Sequence, residues 1–472
     1  MRRIKFAAPA LLLMAGCSMA PPLNIPATPV AESYKYGARW QDAAPADRQP
    51  RGQWWRDFDD PVLDDLIARA DEGSPSLAAA VARLDRARAE ARLAGSDLVP
   101  TLDARTAISR ERLSAGRPIG PGVPITADQY ILGGALNYEI DLWGRVRDSV
   151  RASEADAGVE AASLASVRLS LHGALADAYF QLRGLDREGA LLRRTVDAYE
   201  ASDALIRIRH EGGIASGVDR SRSQTQLANA QALFRQIAAR RATLENRIAT
   251  LIGMMPGQFA IAPTDSIGAL PAIAPGLPST LLERRPDIAG AQRRLIAANA
   301  RIGVAKAARF PRIDLALAGG FQASGAPLVS APTGYWALGP LSAVLNLFDG
   351  GRQRARVAVS EAEYNILVAN YRETVLNSFQ EVEDSLASNA ALAAEEADRR
   401  RAAQAAARGE ELALDRYRDG AADYLEVVTA QTAALAAQQA FITVQTARQR
   451  AAITLVRALG GGTQDRIEPA GG

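Results

Sequence analysis

The one cysteine of the chain stands where a bacterial lipid anchor could be attached. Basic residues open the chain, residues 6–15 are mostly apolar, and two small residues precede Cys17. This order is typical of an export signal, whose apolar core is too short to span a bilayer. We therefore predict a signal peptide at residues 1–16 and a lipidated, extended segment at residues 17–53. Met14 stands where such signals usually carry leucine, and the alternative is an incidental thiol.

Two short segments between predicted helices, residues 210–219 and 417–426, carry acidic side chains. Their capping signals are Gly213, Ser216 and Asp219 in the first segment and Gly420, Asp423 and Glu426 in the second. Glycine ends a helix because it tolerates a left-handed backbone, and a Ser or Asp followed by an acid three residues later begins the next helix. Capping explains most of these residues. Carboxylates at such turns would also ring a pore if several chains assembled around one axis.

Composition excludes several other kinds of chemistry. One cysteine and two histidines, His172 and His210, cannot form an internal disulfide or a zinc site of four Cys/His ligands. We find no glycine-rich phosphate loop and no nucleophile elbow, and we interpret the acid pair Glu395–Glu396 as part of a charged helix face. The net charge of +2, with arginines alternating with acids, argues against a nucleic-acid partner. We predict no enzyme activity and no cofactor other than the lipid on Cys17.

The sequence repeats itself. Three glycine pairs are each separated by 207 residues: Gly144 and Gly351, Gly213 and Gly420, and Gly253 and Gly460. A helical stretch between two prolines 25 residues apart also occurs twice, between Pro75 and Pro100 and between Pro286 and Pro311. An offset that is kept over a long distance indicates a duplication. The predicted organisation is a first repeat at 54–255, a linker at 256–276, a second repeat at 277–461 and a flexible tail at 462–472.

Each repeat contains two segments in which apolar and polar residues alternate, within residues 101–142 and 311–348. Residues rich in glycine and proline separate the two segments, so both regions are predicted β-hairpins. Long strands with one apolar and one polar face are typical of a membrane barrel, and a half-buried sheet in a soluble domain is the alternative. Two hairpins supply four strands, whereas a membrane barrel needs about eight at minimum. Several chains must therefore share one barrel, because lipid does not tolerate open sheet edges.

Long helices follow the hairpins. Residues 144–209 and 351–417 contain no proline, and about 66 residues at 1.5 Å each give about 100 Å. Returning helices are predicted near residues 221–252 and 427–459. The two acidic turns therefore lie at helix tips far from the strands. A free-standing coiled-coil scaffold is the alternative, and the strand hairpins argue against it.

Four segments resemble the TolC-like outer-membrane factors, in the lipoprotein branch that serves resistance–nodulation–division efflux pumps. They are WWRDFDDP (54–61), LPSTLLERRPDIAGAQRRLIAANARIGVAKAARFP (277–311), LNLFDGGRQR (345–354) and RYRDGAADYLEVVTAQ (416–431). The resemblance implies an α+β membrane protein with an internal duplication. In such a homotrimer each chain gives four strands to a shared trimeric β-barrel of twelve strands, which a long α-helical barrel continues into the periplasm.

The resemblance also implies roles for particular residues. It places a periplasmic gate at Asp219, Tyr417 and Glu426. Ala422 and Thr429 stand where the family carries an arginine and a second acid, so fewer ionic links would hold the gate. The residues expected to contact a periplasmic adaptor (membrane fusion) protein are Gly213, Ser216, Gly217, Val218, Gly420, Asp423, Tyr424 and Leu425.

The predicted function is the outer-membrane channel component of a tripartite efflux pump that exports drugs or other small molecules from the periplasm. Its partners would be two further copies of the chain, the adaptor, an inner-membrane resistance–nodulation–division transporter and outer-membrane lipid. The predicted location is the cell outer membrane, with a lipid anchor and an extension into the periplasm. The channel of a type I protein secretion system would share the fold, and a helical lipoprotein without a pore is a further alternative.

Overall fold

The computed structural model describes residues 18–25, 52–114, 125–266, 268–271, 284–324, 328–329 and 333–461. Its helices are α1 (Pro61–Gly73), α2 (Pro75–Ser96), α3 (Arg145–Glu211), α4 (Gly217–Leu251), α5 (Pro286–Ala307), α6 (Arg352–Arg418) and α7 (Tyr424–Ala458). Its strands are β1 (Thr101–Leu113), β2 (Ile125–Glu139), β3 (Arg312–Ala323) and β4 (Gly334–Val344), and short 3-10 helices lie at Trp54–Phe58 and Pro256–Gln258. The order of helix, two strands, long helix and returning helix occurs twice.

The chain forms two compact units. The first unit contains the four strands, and its described residues come from 18–25, from between 83 and 161 and from between 290 and 372. Of the described residues, the second unit contains α1, α4, α7 and the larger parts of α3 and α6, and it draws on the chain between 52 and 82, between 162 and 289 and between 373 and 461. Helices α3 and α6 have 67 residues each, which is about 100 Å at 1.5 Å per residue.

The first unit is built on one antiparallel sheet with the order β1-β2-β3-β4. One row of paired positions crosses the whole sheet in the order Leu102, Leu136, Leu317 and Leu338. These side chains share a face because successive strand residues point to opposite sides. Leu102 is 77% exposed and Leu338 is 70% exposed. Leu317 is 39% exposed and Leu136 is half-buried, so the row is apolar and mostly exposed, as the predicted lipid-facing side of the sheet requires.

Two strands end earlier than the alternation of residues predicts. β2 ends at Glu139 and β4 at Val344, three and four residues before the expected ends at 142 and 348. After β2, the Asp141 carboxylate accepts the backbone N–H of Arg147 at 3.0 Å. After β4, the Asp349 carboxylate accepts two backbone N–H groups at 2.9 Å. The chain leaves the sheet at both places because these aspartates cap the long helices that follow.

The core of the second unit lies where α1, α3, α4 and α7 meet. Its large buried side chains include Phe58, Tyr179 and Phe180, and the ring centroids of Phe58 and Phe180 lie 4.9 Å apart. Leu175 on α3 is fully buried, as the spacing of three to four residues between apolar positions on this helix predicts. The aromatic residues bury large apolar areas in a core that otherwise consists mostly of leucine and isoleucine.

A network of buried charges connects α3 to α4. The side chain of Asp186 is 1% exposed and accepts hydrogen bonds from Arg183 at 3.0 Å and from Arg241 at 2.6 Å. Arg183 also donates to the Tyr179 hydroxyl, which donates to Asp60 at 2.7 Å. Burial and the hydrogen bond to Asp60 raise the pKa of Tyr179. The phenol therefore stays protonated and keeps its role as a donor.

Glu395 and Glu396 both pair with arginines, as expected for a charged helix face, but they differ in exposure. The side chain of Glu396 is 8% exposed, accepts a hydrogen bond from Arg400 at 2.8 Å and forms an ion pair with Arg448 of α7. Burial acts to raise the pKa of Glu396, but the hydrogen bonds outweigh burial and hold the pKa below its usual value. Glu395 remains exposed and pairs with Arg399. A neighbouring helix covers one of two adjacent acids, which the charge pattern of α6 alone does not show.

Within the described part of the chain, α7 is the one helix long and apolar enough by composition to cross a membrane, with a mean hydropathy of 1.2 over an 18-residue window. A single helix of this kind is weak evidence for a membrane span, since core helices have similar composition. Ala452, Ile453 and Val456 of α7 belong to the core of the second unit.

Candidate functional site

Backbone hydrogen bonds close the first turn, between α3 and α4. Gly213 has a φ of +76°. The N–H groups of Ile214 and Ala215 both donate to the carbonyl of Arg209, at 2.8 and 3.1 Å. Glycine adopts this left-handed conformation with little strain, so it can end a helix in this way. The cap predicted at Gly213 is present.

Ser216 and Asp219 form the predicted capping box at the start of α4. The Ser216 hydroxyl accepts the N–H of Asp219 at 3.1 Å. In return, the Asp219 carboxylate accepts the N–H of Ser216 at 3.2 Å and its hydroxyl at 2.7 Å. Arg222 lies 3.6 Å from the other oxygen of the same carboxylate. Much of the hydrogen-bonding capacity of Asp219 is therefore used inside its own turn.

The second turn, between α6 and α7, has a similar backbone but uses its acid differently. Gly420 has a φ of +75°, and the Asp423 carboxylate accepts the N–H of Glu426 at 3.0 Å. The prediction that Glu426 completes a capping box is wrong, because its carboxylate forms an ion pair with Arg416 at 2.9 Å. This pair joins the last turn of α6 to the first turn of α7. The two acids that the sequence treats as equivalent therefore have different partners.

An aromatic contact connects the two turns. The guanidinium carbon of Arg209 lies 4.8 Å from the centre of the Tyr417 ring. The rings of Tyr417 and Tyr424 lie 5.6 Å apart, and Tyr424 packs with Ile206 and Val427, which are both fully buried. A cation over an aromatic ring contributes about 0.5–1 kcal/mol at exposed sites. Tyr417 thus contacts both helix hairpins, and buried side chains support it.

Within one chain, the predicted gate residues have separate partners. Asp219 bonds to Ser216, Tyr417 contacts Arg209, and Glu426 pairs with Arg416. The predicted adaptor contacts also differ in exposure. Tyr424 is 3% exposed, whereas the other seven residues are exposed at the surface.

A further acid, Asp203, fastens α3 to α4 just before the first turn. Its carboxylate accepts hydrogen bonds from Arg220 at 2.5 Å and from Ser223 at 2.7 Å. Partial burial acts to raise the pKa of Asp203, but these two hydrogen bonds hold the pKa below its usual value. The sequence alone does not identify Asp203 as part of this site, because no local motif relates it to a partner 17 residues away.

The turns present apolar side chains to the solvent. Ile214 is 79% exposed, Val218 is 59% exposed and Leu425 is 45% exposed. Beside Val218, residues of α4 and α7 line a groove of about 560 Å³. Apolar residues grouped at a surface are typical of sites that contact a partner protein.

Cys17, the predicted lipidation site, lies outside the described residues. Residues 18–25, directly after Cys17, are described, and the Ser18 hydroxyl donates to the Asp148 carboxylate at 2.8 Å. In the portion of the chain that the structure describes, no group of His, Cys, Asp and Glu side chains could hold a metal ion.

Comparison with known proteins assigns the family. The sequence profile of the family described as outer membrane efflux protein matches residues 66–254 and matches again at residues 277–461. The chain belongs to the outer membrane efflux protein family. The double match confirms the predicted duplication. The family also confirms the predicted outer-membrane location and a channel function rather than an enzymatic one.

Two relatives match over almost their whole length. The outer membrane protein OprJ of Pseudomonas aeruginosa is 35% identical over 472 residues, which cover 98% of this chain and 97% of OprJ. The toluene efflux pump outer membrane protein TtgC of Pseudomonas putida is 33% identical over 454 residues, which cover 95% of this chain and 93% of TtgC.

Solved structures share the fold. A crystal structure of a membrane protein from Pseudomonas aeruginosa aligns with a TM-score of 0.86 and 33% identity, covering 94% of this chain and 100% of that one. The outer membrane protein VceC from Vibrio cholerae aligns with a TM-score of 0.82 and 28% identity, covering 88% of this chain and 100% of VceC. The fold class predicted from the sequence is confirmed, since the structural neighbours are trimeric outer-membrane channels.

Proposed function

We propose that three copies of this chain form the outer-membrane channel of a tripartite efflux pump that exports drugs or other small molecules. The observation that carries the proposal is the double family match on repeats that each contain a strand hairpin and a helix hairpin. Such a repeat can supply both a membrane wall and a periplasmic tunnel wall. The name of the relative TtgC, a toluene efflux pump component, supports small molecules as cargo over proteins of a type I secretion system.

The sheet supports the sharing of one barrel among copies. β1 and β4 are its edge strands, and in lipid their free backbone groups need partners. Three sheets of four strands, joined edge to edge, would give twelve strands without a free edge. Trp336, which is 82% exposed, and Leu341, which is 66% exposed, would then face the lipid hydrocarbon.

The exposed turns support docking of a periplasmic adaptor protein. Ile214, Val218 and Leu425 offer apolar contacts at neighbouring helix ends, and the groove beside Val218 could receive a partner side chain. The adaptor would connect the channel to an inner-membrane resistance–nodulation–division transporter. In this arrangement Tyr424 supports the contact surface from below, because it is buried.

The gate is proposed to consist of Asp219, Tyr417 and Glu426. Each residue belongs to a hairpin turn, where three chains could approach a common axis and place their carboxylates in a ring. The contacts of Tyr417 with Arg209 and of Glu426 with Arg416 hold the turns in their present conformation. Opening would require these exposed contacts to loosen.

Cys17 is proposed to carry covalent lipid. The support is the order of basic, apolar and small residues before Cys17. The lipid is a second attachment to the membrane beside the shared barrel, and we assign no other non-protein group to the chain.

A strain that lacks this chain tests the proposed function. We expect deletion to lower the inhibitory concentrations of several unrelated small drugs, and a plasmid copy of the gene to restore them. A copy carrying Asp398→Ala is a matched control, because this side chain is 68% exposed and should not be needed. Unchanged drug susceptibility together with loss of a secreted protein would contradict the proposal and favour type I secretion.

A further inference from the structure

The first residues after Cys17 are held against the first unit. The hydroxyl of Ser18 donates to both oxygens of the Asp148 carboxylate, at 2.8 and 2.9 Å, and accepts the N–H of Ala20 at 3.1 Å. Asp148 lies in the first turn of α3 and is fully buried, at 0% exposure. A buried carboxylate needs hydrogen-bond partners, and the amino-terminal segment supplies one of them.

Two more helices contact the same segment. On α5, the Asn299 amide donates to the carbonyl of Pro21 at 2.9 Å. On α6, the Tyr364 hydroxyl donates to the carbonyl of Asn24 at 2.7 Å. Side chains from α3, α5 and α6 thus bind residues 18–25 at three points. Two of these bonds go to the backbone, so they fix the path of the segment rather than its side chains.

Gly303 on α5 makes room for this arrangement. A Cβ atom at this position would lie 2.2 Å from an Asp148 carboxylate oxygen and 2.8 Å from the backbone nitrogen of Ala20. Glycine weakens a helix interior relative to alanine, because it gains more conformational freedom on unfolding. Asp148 and the amino-terminal segment approach Gly303 so closely that a residue with a Cβ atom would not fit there, which explains the glycine at this position.

The internal repeat shows that the fold itself does not require these residues. Each has a counterpart in the other repeat, at the offset of 207 for the long helices and 211 (286 − 75) for the helices that begin at the prolines. The counterparts are Ala355 for Asp148, Arg88 for Asn299, Arg92 for Gly303 and Ala157 for Tyr364. None of the four residue types is kept. Asp148 comes from the first repeat and the other three residues come from the second, and each differs from the residue at its counterpart position.

We propose that Asp148, Asn299, Gly303 and Tyr364 form a docking site for the chain's own amino-terminal segment, fastened by the hydrogen bond between Ser18 and Asp148. Cys17 is joined to Ser18 by one peptide unit, about 3.8 Å between Cα atoms. The site therefore fixes the proposed point of lipid attachment next to the first turn of α3, shortly after β2 leaves the sheet. The role in lipid positioning rests on the proposed lipidation of Cys17, whereas the docking does not depend on lipid.

Hydrogen exchange measured by mass spectrometry on the purified full-length oligomer tests the docking site. Two variants disrupt it from different sides: Asp148→Ala removes the acceptor, and Gly303→Ala fills the space that the acceptor occupies. Hydrogen bonds to charged groups are strong enough that their loss should speed exchange in residues 18–25 about 10- to 100-fold. Both variants should remain oligomeric, and hydrogen exchange in α7 should equal that of the wild type. These two results would show that the variants fold.

Two matched controls accompany these variants. Gly95→Ala adds the same methyl group to α2, where a Cβ atom would meet nothing within 4 Å. Asp156→Ala removes another acid from α3, one that pairs with Arg301. Both controls should change exchange in residues 18–25 by less than about twofold, as is usual for substitutions that leave the site intact. The proposal would be overturned if hydrogen exchange in residues 18–25 were as fast in the wild type as in Asp148→Ala and Gly303→Ala.

A Cys17→Ser form, made with a signal sequence for an ordinary exported protein, separates docking from lipidation. Residues 18–25 should stay protected in this form, because the docking site contains no lipid. Protection that disappears with the lipid would overturn the docking site. Absence of palmitate from the wild-type protein, with the segment still protected, would contradict the lipidation of Cys17 and leave the docking site standing.

Discussion

Removing the charge of Glu426 should make the assembled channel open more often. In each chain, Glu426 and Arg416 are 2.9 Å apart, and their side chains are 41% and 58% exposed. An ion pair with this exposure contributes about 0.2–1 kcal/mol. Three copies that open together would contribute about 0.6–3 kcal/mol, which corresponds to about 3- to 150-fold in the ratio of open to closed channels.

The assay is the open fraction of purified trimers in planar lipid bilayers. Glu426→Gln is recorded alone and together with Asp219→Asn, because both substitutions keep the size of the side chain and remove its charge. Glu426→Gln alone should raise the ratio of open to closed channels by about 3- to 150-fold. The double variant should raise this ratio further. Glu395→Gln is the matched control, since it removes an exposed ion pair with Arg399 on α6 outside the turn. It should change the open fraction less than about twofold.

Helix capping has to be separated from charge in this experiment. Asp219 also belongs to a capping box, and loss of a cap costs about 0.5–2 kcal/mol. Ser216→Ala removes the capping hydroxyl and leaves Asp219 charged. The proposed gating role of these carboxylates is refuted if Glu426→Gln leaves the open fraction unchanged and Ser216→Ala reproduces the effect of the double variant.

Three other perturbations test separate parts of the structure. Cys17→Ser should abolish palmitate labelling and weaken membrane retention while trimers persist on native gels, and loss of all trimers would contradict an independently formed barrel. Gly420→Val should strain a left-handed turn by about 1–2 kcal/mol and reduce cross-linking to the adaptor, and unchanged cross-linking and resistance would contradict the assignment of the turn. Asp186→Ala leaves Arg183 and Arg241 without their shared buried acceptor, so it should destabilise the protein by about 3–5 kcal/mol. A thermal midpoint equal to that of the exposed control Asp398→Ala would contradict this estimate.

Long elements with continuous local signals could be predicted from the sequence almost to the residue. The first long helix was expected at 144–209, and α3 runs from Arg145 to Glu211. The absence of proline, the good helix formers and the glycine cap at its end all act within a few residues of one another. The sheet faces could also be predicted, because alternation along a strand determines which side chains share a face.

Partners from distant parts of the chain could not be predicted. Glu396 has its partner Arg448 on another helix, 52 residues away, and the Ser18–Asp148 bond spans 130 residues. A helical period gives the angle of a residue on its own helix but not which neighbour covers that angle. Buried polar contacts of this kind depend on the packed structure, so no local pattern reveals them.

The two turns show how similar local sequences can use their residues differently. Arg209 and Arg416 occupy equivalent positions in the two repeats (416 − 209 = 207). Arg209 lies over the ring of Tyr417, whereas Arg416 pairs with Glu426. The Asp219 side chain is one methylene shorter than that of Glu426. It forms a capping box instead of an ion pair with an arginine across the turn. Equal spacing predicts equal roles for the matching residues of the two turns. Their roles differ because they bind different partners across the turn.

A recording of the wild-type protein in planar bilayers tests whether three chains form one conducting channel. Purified protein, shown by native mass spectrometry to contain three chains, should produce discrete conductance steps, since a shared barrel of twelve strands encloses an aqueous path. Folded trimers that insert into the bilayer without any discrete conductance, in the wild type and in the Glu426→Gln/Asp219→Asn variant alike, would contradict the account.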